Sequence, residues 1–557
     1  MAFKIKNAPS FLLLLFFFIT PTSGYSGENG GGHWVQLQRS IGISAMHMQV
    51  MRDNKVIVFD RTDFGPSNLS LPNKRCRFNP HDMALKLDCT AHSVLYDITT
   101  NTFRPLTLFS DAWCSSGAAT PDGTLVQTGG FNDGYNRLRT FTPCPDHNLC
   151  DWVELQEQNL TTGRWYASNQ ILPDGRIIVV GGRSTFTYEF VPKNRNQNQN
   201  AKSFWYLRFL RVTRDSNPGE ENNLYPFLHL LPDGNLFIFA NRRSILFDYY
   251  RNRVVKEFPV IPGEEKRNYP STGSSVLLPL NLTGLNGTRL PEAEVMVCGG
   301  AFPGAFNLAK RKVFLEASRT CGRIRVTDPD PQWVMEVMPM PRVMPDMLLL
   351  PNGNVIILNG ARNGTAGWEN GANPVLNPVL YRPGLKRFEV LAAAGTPRMY
   401  HSSAVLLPDG RILVGGSNPH RGYDFRAYPY PTEISLDAYY PDYVAPERVR
   451  LRPSIIAVEA GENTASYNGT FSVTFSLEVF DGGVSVVLVA PSFTTHSFAM
   501  NQRVVVLDVM RVDDVAENAY KVTARGAVSA TVAPPGYYML YVVHVGVPSV
   551  AVWVQVK

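Results

Sequence analysis

The sequence predicts an all-β protein in which a seven-bladed β-propeller precedes a smaller C-terminal β-sandwich. Two observations lead to this prediction: a short turn-and-strand phrase recurs along most of the 557 residues, and a series of strand-like segments follows where the phrase stops. The chain is too long for one ordinary domain, and its 44% hydrophobic content supplies material for large cores. We therefore expect two or more folded units.

The recurring phrase places Asp-Gly or Asn-Gly between two apolar segments, which predicts a β-hairpin. Its turn residues are Asp122, Asp174, Asp233, Asn352 and Asp409, separated by 52, 59, 119 and 57 residues. A degenerate copy at 275–300 fills the long gap, and an earlier copy at 48–59 brings the total to seven. Seven such units, each ending in Gly-Gly or a relic of it, predict a kelch-type propeller over residues 33–445.

The C-terminal part has strand signals without the repeat. A proline-rich and charged passage at 440–453 marks a boundary, and Phe471–Leu477 then alternates with a period of two residues. Further β-branched or aromatic segments lie at 486–489, 504–509 and 537–543. We expect an immunoglobulin-like β-sandwich over residues 452–557.

The N-terminus predicts export. Residues 1–24 combine Lys4 and Lys6 with an apolar stretch and small residues near Gly24, as a signal peptide does. No later segment reaches the roughly 18 apolar residues of a membrane span. We expect a secreted, extracellular monomer, in the apoplast or cell wall if the chain comes from a plant. Candidate N-glycan sites are Asn68, Asn159, Asn281, Asn286, Asn363 and Asn468.

The charge is modest and dispersed. The formal net charge is +6, and loss of Lys4 and Lys6 with the signal peptide lowers it to +4. Because no basic block accompanies this charge, we expect no nucleic-acid partner.

Seven cysteines in an exported chain leave one unpaired. Pairing nearest neighbours predicts the disulfides Cys76–Cys89, Cys144–Cys150 and Cys298–Cys321, although six cysteines allow about 15 connectivities. Cys114 is then the free thiol.

Reactive side chains recur at one phase of the repeat. The position eight residues before each turn residue is occupied by Cys114, Tyr166, Tyr225, Met344 and His401. Each of these residues alone has a structural interpretation, for example as a buried thiol or a core aromatic. Their coincidence at one phase, where the innermost strands of a propeller converge, favours a chemical site instead.

A cysteine and a tyrosine in adjacent blades suggest a thioether between sulfur and the ring carbon next to the phenol oxygen, which makes the tyrosine easier to oxidise to a radical. Imidazole and phenolate ligands in tetragonal geometry favour Cu(II). A copper site built from Tyr166, Tyr400 and His401 would then need mainly a second imidazole ligand. Because successive strand residues point to opposite faces, Tyr400 and His401 share a metal only where the strand end is bulged or twisted.

These phrases resemble the galactose oxidase and glyoxal oxidase superfamily of copper-radical oxidases, with plant glyoxal oxidases the most similar. The resemblance covers nearly the whole mature chain. It is carried by Trp113-Cys114-Ser115-Ser116, Arg164-Trp165-Tyr166, Arg398-Met399-Tyr400-His401 and Thr495-His496 with Gln502-Arg503.

The resemblance implies a cofactor and a ligand set. It implies a Cys114–Tyr166 thioether radical cofactor and one copper ion held by Tyr166, Tyr400, His401 and His496. His496 would come from a loop of the sandwich that enters the propeller, and Tyr400 would act as the base.

The implied activity is oxidation of small glyoxal-type aldehydes by O2 to carboxylic acids and hydrogen peroxide. Two alternatives remain open: a primary alcohol oxidase with the same mechanism, and a non-catalytic kelch-type binding propeller. One departure disfavours galactose as substrate: Ser184 occupies the position of the tryptophan that covers the cross-link in galactose oxidase. That cover is then missing or supplied by another aromatic such as Phe186.

Overall fold

Strands form nearly all the regular structure of the chain. The computed structural model describes residues 31–557 except 147–148, 194–202, 288 and 460. The predicted signal peptide at 1–24 lies outside the described residues. Among the described residues the α-helices are Arg208–Val212 and Ala305–Ala309. The 3-10 helices are Thr62–Phe64, Pro72–Lys74, Asn132–Gly134, Asp442–Val444, Pro446–Leu451 and Gly461–Asn463.

Seven antiparallel meanders of four strands occupy the described residues between 33 and 440. The first strands are His47–Met51, Ser116–Ala119, Ala167–Ile171, Phe227–Leu230, Ser274–Leu277, Asp346–Leu349 and Ser402–Leu406. The second strands are Lys55–Phe59, Leu125–Thr128, Ile177–Gly181, Leu236–Ala240, Glu294–Cys298, Val355–Leu358 and Ile412–Gly416. The third strands are Ser93–Asp97, Leu138–Phe141, Thr187–Val191, Arg243–Asp248, Thr320–Arg325, Val379–Arg382 and Leu436–Tyr440. The fourth strands are Thr102–Leu106, Val153–Glu154, Trp205–Tyr206, Arg253–Glu257, Trp333–Val337, Arg387–Val390 and His33–Gln38.

Consecutive first strands contact one another from Ser116–Ala119 round to His47–Met51, and Phe493–Thr495 contacts both of these strands and so closes the ring. Each meander lies where the repeat predicts it, including the degenerate copy, whose strands Ser274–Leu277 and Glu294–Cys298 pair antiparallel. His33–Gln38 pairs with Leu436–Tyr440, so the N-terminal strand completes the last sheet. The all-β, propeller-like fold is confirmed, whereas the seven-blade assignment and the domain boundaries stay predictions.

The turn glycines explain the recurring Asp-Gly or Asn-Gly. Gly123, Gly175, Gly234, Gly353 and Gly410 all have φ between 80° and 89°. Other L-residues adopt this left-handed backbone only at a steric cost, so the tight turn between first and second strands favours glycine there.

The C-terminal residues form two sheets, one antiparallel and the other mixed. One sheet contains Ser454–Glu459, Thr470–Ser476, Ala519–Arg525 and Asp508–Ala516. The other contains Arg503–Val506, Val484–Ala490, Gly536–His544 and Val552–Val556, with the short Thr464–Ala465 and Val547–Pro548. Leu280–Asn281 from the propeller joins this second sheet in parallel with Arg503–Val506, which ties the two parts together. Two further short hairpins are Arg77–Phe78 with Leu87–Asp88, and Ala361–Gly364 with Gly371–Pro374.

A hairpin of the C-terminal part enters the ring of first strands. Phe493–Thr495 pairs with Phe498–Met500 and also with His47–Met51. The hairpin touches several other first strands around the axis. Gly117 permits this close approach, since a Cβ atom there would lie 2.5 Å from the Phe493 ring.

The predicted cysteine pairing is confirmed. The disulfides are Cys76–Cys89, Cys144–Cys150 and Cys298–Cys321, and Cys114 is free and buried. Among the described residues, no helix has the length and apolar character needed to cross a membrane.

Candidate metal centre

One backbone conformation places the predicted reactive residues at the end of the first strands. Cys114, Tyr166, Tyr225, Met344 and His401 all have positive φ, between 50° and 69°. Left-handed backbone at a non-glycine residue costs on the order of 1–3 kcal/mol and persists where the surrounding fold dictates it. The chain therefore turns sharply at the same point in these five meanders.

The positive φ at this turn allows two consecutive residues, Tyr400 and His401, to point into one site. With His401 at φ 62°, the rings of Tyr400 and His401 stack, their centroids 3.7 Å apart and 28° from parallel. Both side chains are buried. The predicted irregularity of the strand end is present, so Tyr400 and His401 reach one site.

The entering hairpin carries His496 at its tip. His496 and Ser497 form the two-residue loop between its paired strands, and both have positive φ, as this hairpin turn requires. Thr495 Oγ1 lies 2.7 Å from His496 Nδ1. The ring of Tyr225 packs 5.1 Å from the imidazole. The turn and its neighbours thus fix both the position and the orientation of the ring.

The two imidazoles offer their Nε2 atoms to the same space. Asn418 O lies 3.1 Å from His401 Nδ1 and accepts its hydrogen, and His401 Nε2 has no hydrogen-bond partner in the described part of the chain. His496 Nε2 lies 3.1 Å from Cys114 Sγ. Ligand atoms of Cys114, His401 and His496 all lie within 4.8 Å of one another.

The electrostatics keep both imidazoles ready to bind a metal. Burial lowers the pKa of His401 well below its usual value, and the cationic Arg61 adds to the effect. Burial and the neighbouring His401 likewise lower the pKa of His496. Neutral rings keep a lone pair on one nitrogen, and copper binds that form. A buried Nε2 without a partner and a second one facing a thiol fit a copper ion.

Three phenols adjoin the imidazoles. Tyr269 Oη lies 3.1 Å from Tyr166 Oη and 2.8 Å from Tyr400 Oη. The His496 ring lies 5.9 Å from Tyr166 and 5.8 Å from Tyr400. Burial raises the pKa of each phenol above its usual value. The two predicted tyrosine ligands therefore lie together, with a third tyrosine bridging them.

Cys114 lies beside Tyr166, as predicted from their phase in the repeat. Tyr166 N donates a 3.0 Å hydrogen bond to Cys114 O. Burial raises the pKa of the Cys114 thiol, and a hydrogen bond with the Tyr166 side chain opposes that shift. The thiol and the phenol are thus neighbours, and both side chains are buried.

The groups packed on the Tyr166 ring do not include Phe186, the aromatic residue suggested from the sequence. Phe186 packs with the core around Leu172 and not on Tyr166. Instead the Tyr269 ring lies 4.4 Å from the Tyr166 ring at 32°, and the Arg183 guanidinium lies 5.2 Å from it. Tyr269, Arg183 and the adjacent Trp165, whose ring lies 4.7 Å from that of Tyr166, therefore surround Tyr166 in place of the tryptophan of galactose oxidase.

Sequence reasoning missed Tyr269, although a signal for it exists. Arg267-Asn268-Tyr269 has the same Arg-x-Tyr form as the phrases ending in Tyr166 and Tyr400. The buried guanidiniums of these phrases each donate to a carbonyl of a Gly-Gly phrase: Arg164 to Gly181, Arg267 to Gly299 and Arg398 to Gly416. The arginine thus fixes the tyrosine loop to the second strand of its own meander.

The Arg164–Glu189 pair tests this anchoring. Both side chains are fully buried, and Arg164 Nε lies 2.9 Å from Glu189 Oε1. We expect Glu189→Ala to lower the free energy of unfolding by about 3–5 kcal/mol, because it leaves a buried guanidinium unpaired. Urea unfolding followed by fluorescence measures the loss. The exposed Glu157→Ala is the control, and equal midpoints for the two variants would contradict the anchoring role.

A third imidazole, that of His47, lies close to the site. Its ring is fully buried, stacked 4.3 Å from Phe59 and 6.3 Å from His496. Its Nδ1 faces Phe59 O and its Nε2 faces Ser115 Oγ. Burial lowers its pKa to about 3, so it is neutral. Both nitrogens are engaged, which fits a packing and positioning role.

A cavity of about 390 Å³ opens onto the phenols. Tyr166, Tyr269 and Tyr400 line it on the side of the site, and Trp113, Trp165, Phe306 and Trp368 provide aromatic walls. Arg183 and Lys310 are its cationic lining residues. Its size suits a small organic substrate.

The chain matches two known families over nearly its whole described length. Residues 46–443 match the family described as Glyoxal oxidase N-terminus, and residues 452–556 match Galactose oxidase-like, Early set domain.

Individual proteins are similar over comparable lengths. Aldehyde oxidase GLOX of Vitis pseudoreticulata is 44% identical over 529 residues, covering 94% of this chain and 97% of that protein. Aldehyde oxidase GLOX1 of Arabidopsis thaliana is 43% identical over 536 residues, covering 95% of this chain and 85% of that protein. A solved structure of a fungal alcohol oxidase in complex with copper has a similar fold, with a TM-score of 0.69 at 17% identity, covering 95% of this chain and 100% of that one.

Proposed function

The chain belongs to the glyoxal oxidase family, and from this premise we propose that it is a secreted copper-radical oxidase of small aldehydes. The reaction takes the aldehyde as its hydrate and yields a carboxylic acid. Aldehyde, water and O2 are consumed, and acid and hydrogen peroxide are formed, so two electrons pass from substrate to O2.

The observation that supports the proposal most is the convergence of two neutral imidazoles, a free buried thiol and buried phenols on one space. We assign His401 Nε2, His496 Nε2, Tyr400 Oη and Tyr166 Oη as the residues that hold copper. This donor set of imidazoles and phenols suits Cu(II). We assign Cys114 and Tyr166 as the thioether-linked radical cofactor.

When bound, copper together with an oxidised Cys114–Tyr166 unit would supply a two-electron acceptor for each turnover. Tyr400 Oη takes the proton of the substrate hydroxyl group. With the unit oxidised, the Tyr166 oxygen, which lines the cavity, would take the hydrogen atom from the substrate carbon and become a phenol again. Tyr269 Oη, within 3.1 Å of both oxygens, holds the two phenols in their relative positions. The aromatic walls exclude water while these transfers occur.

Export of the protein is part of the proposal. The three disulfides fit an oxidising compartment. The glycosylation candidates are accessible: Asn68, Asn281, Asn286 and Asn468 are exposed, and Asn159 and Asn363 are partly exposed.

Peptide mass spectrometry of copper-loaded protein tests the cofactor. We expect a linked peptide pair containing Cys114 and Tyr166, lighter than its separate parts by the mass of two hydrogen atoms, because forming the thioether removes one from sulfur and one from the ring. Cys114→Ala is the control and should give only the unlinked Tyr166 peptide. Fully metallated protein without the linked pair would favour the non-catalytic binding propeller.

A further inference from the structure

We propose that the cavity selects aldehydes with a planar, aromatic body and a carboxylate group, and that Arg183 and Lys310 bind this carboxylate. The aldehyde part of the inference rests on the proposed function. The carboxylate part rests on the shape and charge of the cavity.

The aromatic walls favour a flat substrate. Trp113 and Trp368 are nearly parallel, with centroids 5.5 Å apart and 12° between their planes. The Trp165 ring is tilted against Trp113 at 4.8 Å and lies 4.7 Å from the Tyr166 ring. Rings of this kind gain from offset or edge contacts with another aromatic ring. The three tryptophan rings line the same cavity as the phenols of the site.

Arg183 supplies the first positive charge, close to the chemistry. Its guanidinium lies 4.8 Å from the Trp165 ring and 5.2 Å from the Tyr166 ring. One terminal nitrogen is paired with Glu221 at 3.1 Å. Its Nη1 makes no hydrogen bond or ion pair with the described residues, and 27% of the side chain is exposed. The pairing with Glu221 therefore leaves a donor of the guanidinium unused, and a carboxylate accepts from such a planar donor group.

Lys310 supplies the second positive charge. Its ammonium group lies 4.3 Å from the Phe306 ring, and no ion pair within the described ranges involves it. The nearby acids are already engaged. Glu220 accepts hydrogen bonds from Gly304 N and Asn307 Nδ2, and Glu369 pairs with Lys312 at 2.9 Å.

No aspartate or glutamate lines the cavity in the part of the chain that the structure describes. Two cations thus line a cavity whose other lining residues are uncharged, and an anionic group on the substrate would complement them. An anionic substrate would accept a charge-assisted hydrogen bond from Arg183 that a neutral aldehyde of the same shape lacks.

A matched pair of substrates tests the inference. 4-Formylbenzoate and 4-formylbenzamide have nearly the same shape and differ in charge. We expect copper-loaded enzyme to favour the anion in kcat/KM by roughly 10-fold to 100-fold, the range for a charge-assisted hydrogen bond. Arg183→Gln should reduce this ratio by about tenfold or more. Lys310→Gln should reduce it less, because its ammonium group is more exposed.

Lys312→Gln is the matched control, since Lys312 is a nearby cation outside the cavity lining. It should leave the ratio unchanged. Equal kcat/KM for the two aldehydes in the unsubstituted enzyme would overturn the inference, as would a ratio that Arg183→Gln does not change.

Binding measurements separate this inference from the proposed function. Calorimetry with benzoate and benzamide needs no turnover. If neither aldehyde is oxidised but benzoate binds more tightly than benzamide in an Arg183-dependent way, the carboxylate site stands and the oxidase proposal fails. If both aldehydes are oxidised without charge preference, the oxidase proposal stands and the carboxylate site fails.

Discussion

Tyr166→Phe should abolish oxidase turnover while leaving the fold intact. The substitution removes only the phenol oxygen from a buried ring, so the contacts of that ring with Trp165 and Tyr269 remain. The oxygen is lost both as a copper ligand and as the site that receives the substrate hydrogen. A phenylalanine ring also lacks the phenol that activates the neighbouring ring carbon, so Cys114 should stay a free thiol.

Peroxide release from small aldehydes measures the loss, and thiol titration of the denatured protein measures Cys114. The control is Tyr188→Phe, another buried tyrosine of the same meander, whose hydroxyl donates to Tyr249 O at 3.2 Å and which packs in the core around Leu172, outside the cavity lining. It should keep its activity. A copper-loaded Tyr166→Phe protein that retained most of its turnover would rule out the assigned radical.

The repeat made much of the site predictable. Each copy of the phrase forms the same hairpin, so equal distance from the turn residue means an equal place at the end of a first strand. This is why Cys114, Tyr166 and His401 converge although some 290 residues separate the first from the last. Residues at the same offset from the turn therefore occupy equivalent places in the fold. The odd number of cysteines separately identified Cys114 as the thiol left free.

Tyr269 was missed because its meander carries the degenerate copy of the phrase and because Thr272 holds the equivalent position there: Thr272 O accepts from Met344 N as Cys114 O accepts from Tyr166 N. Without an Asp-Gly turn there is no reference point from which to count. The Arg-x-Tyr form of Arg267-Asn268-Tyr269 survives because its buried arginine still fastens the loop to Gly299. A search for the anchoring arginine, as well as for the turn, would have found this tyrosine.

The cover over Tyr166 could not be predicted for a different reason. Arg183 and Tyr269 come from different meanders, and their approach to one ring depends on side-chain packing across the axis. No local pattern encodes such a contact. No local pattern encodes the position of His496 either, because that position depends on how a hairpin of the sandwich inserts among the first strands. The resemblance to a family, and not any spacing in the chain, predicted that arrival.

His496→Ala should abolish stoichiometric copper binding. His496 supplies the one proposed ligand that comes from the C-terminal hairpin, and its Nε2 already faces the common space beside Cys114. We expect a loss of affinity greater than the roughly 10-fold to 100-fold that follows removal of a hydrogen-bond partner of a ligand. Copper content after gel filtration, measured by atomic absorption, gives the stoichiometry.

Two further variants define what this loss means. Thr495→Val removes the oxygen 2.7 Å from His496 Nδ1 and should weaken copper binding by roughly 10-fold to 100-fold without abolishing it. His420→Ala, a partly exposed histidine bonded to Tyr430 O, should keep full copper content. The loss of copper binding should therefore be largest when the ligand itself is removed, smaller when its hydrogen-bond partner is removed, and absent when an unrelated imidazole is removed. Full copper content in His496→Ala would place the metal elsewhere, because the remaining imidazole and phenols alone could not explain it.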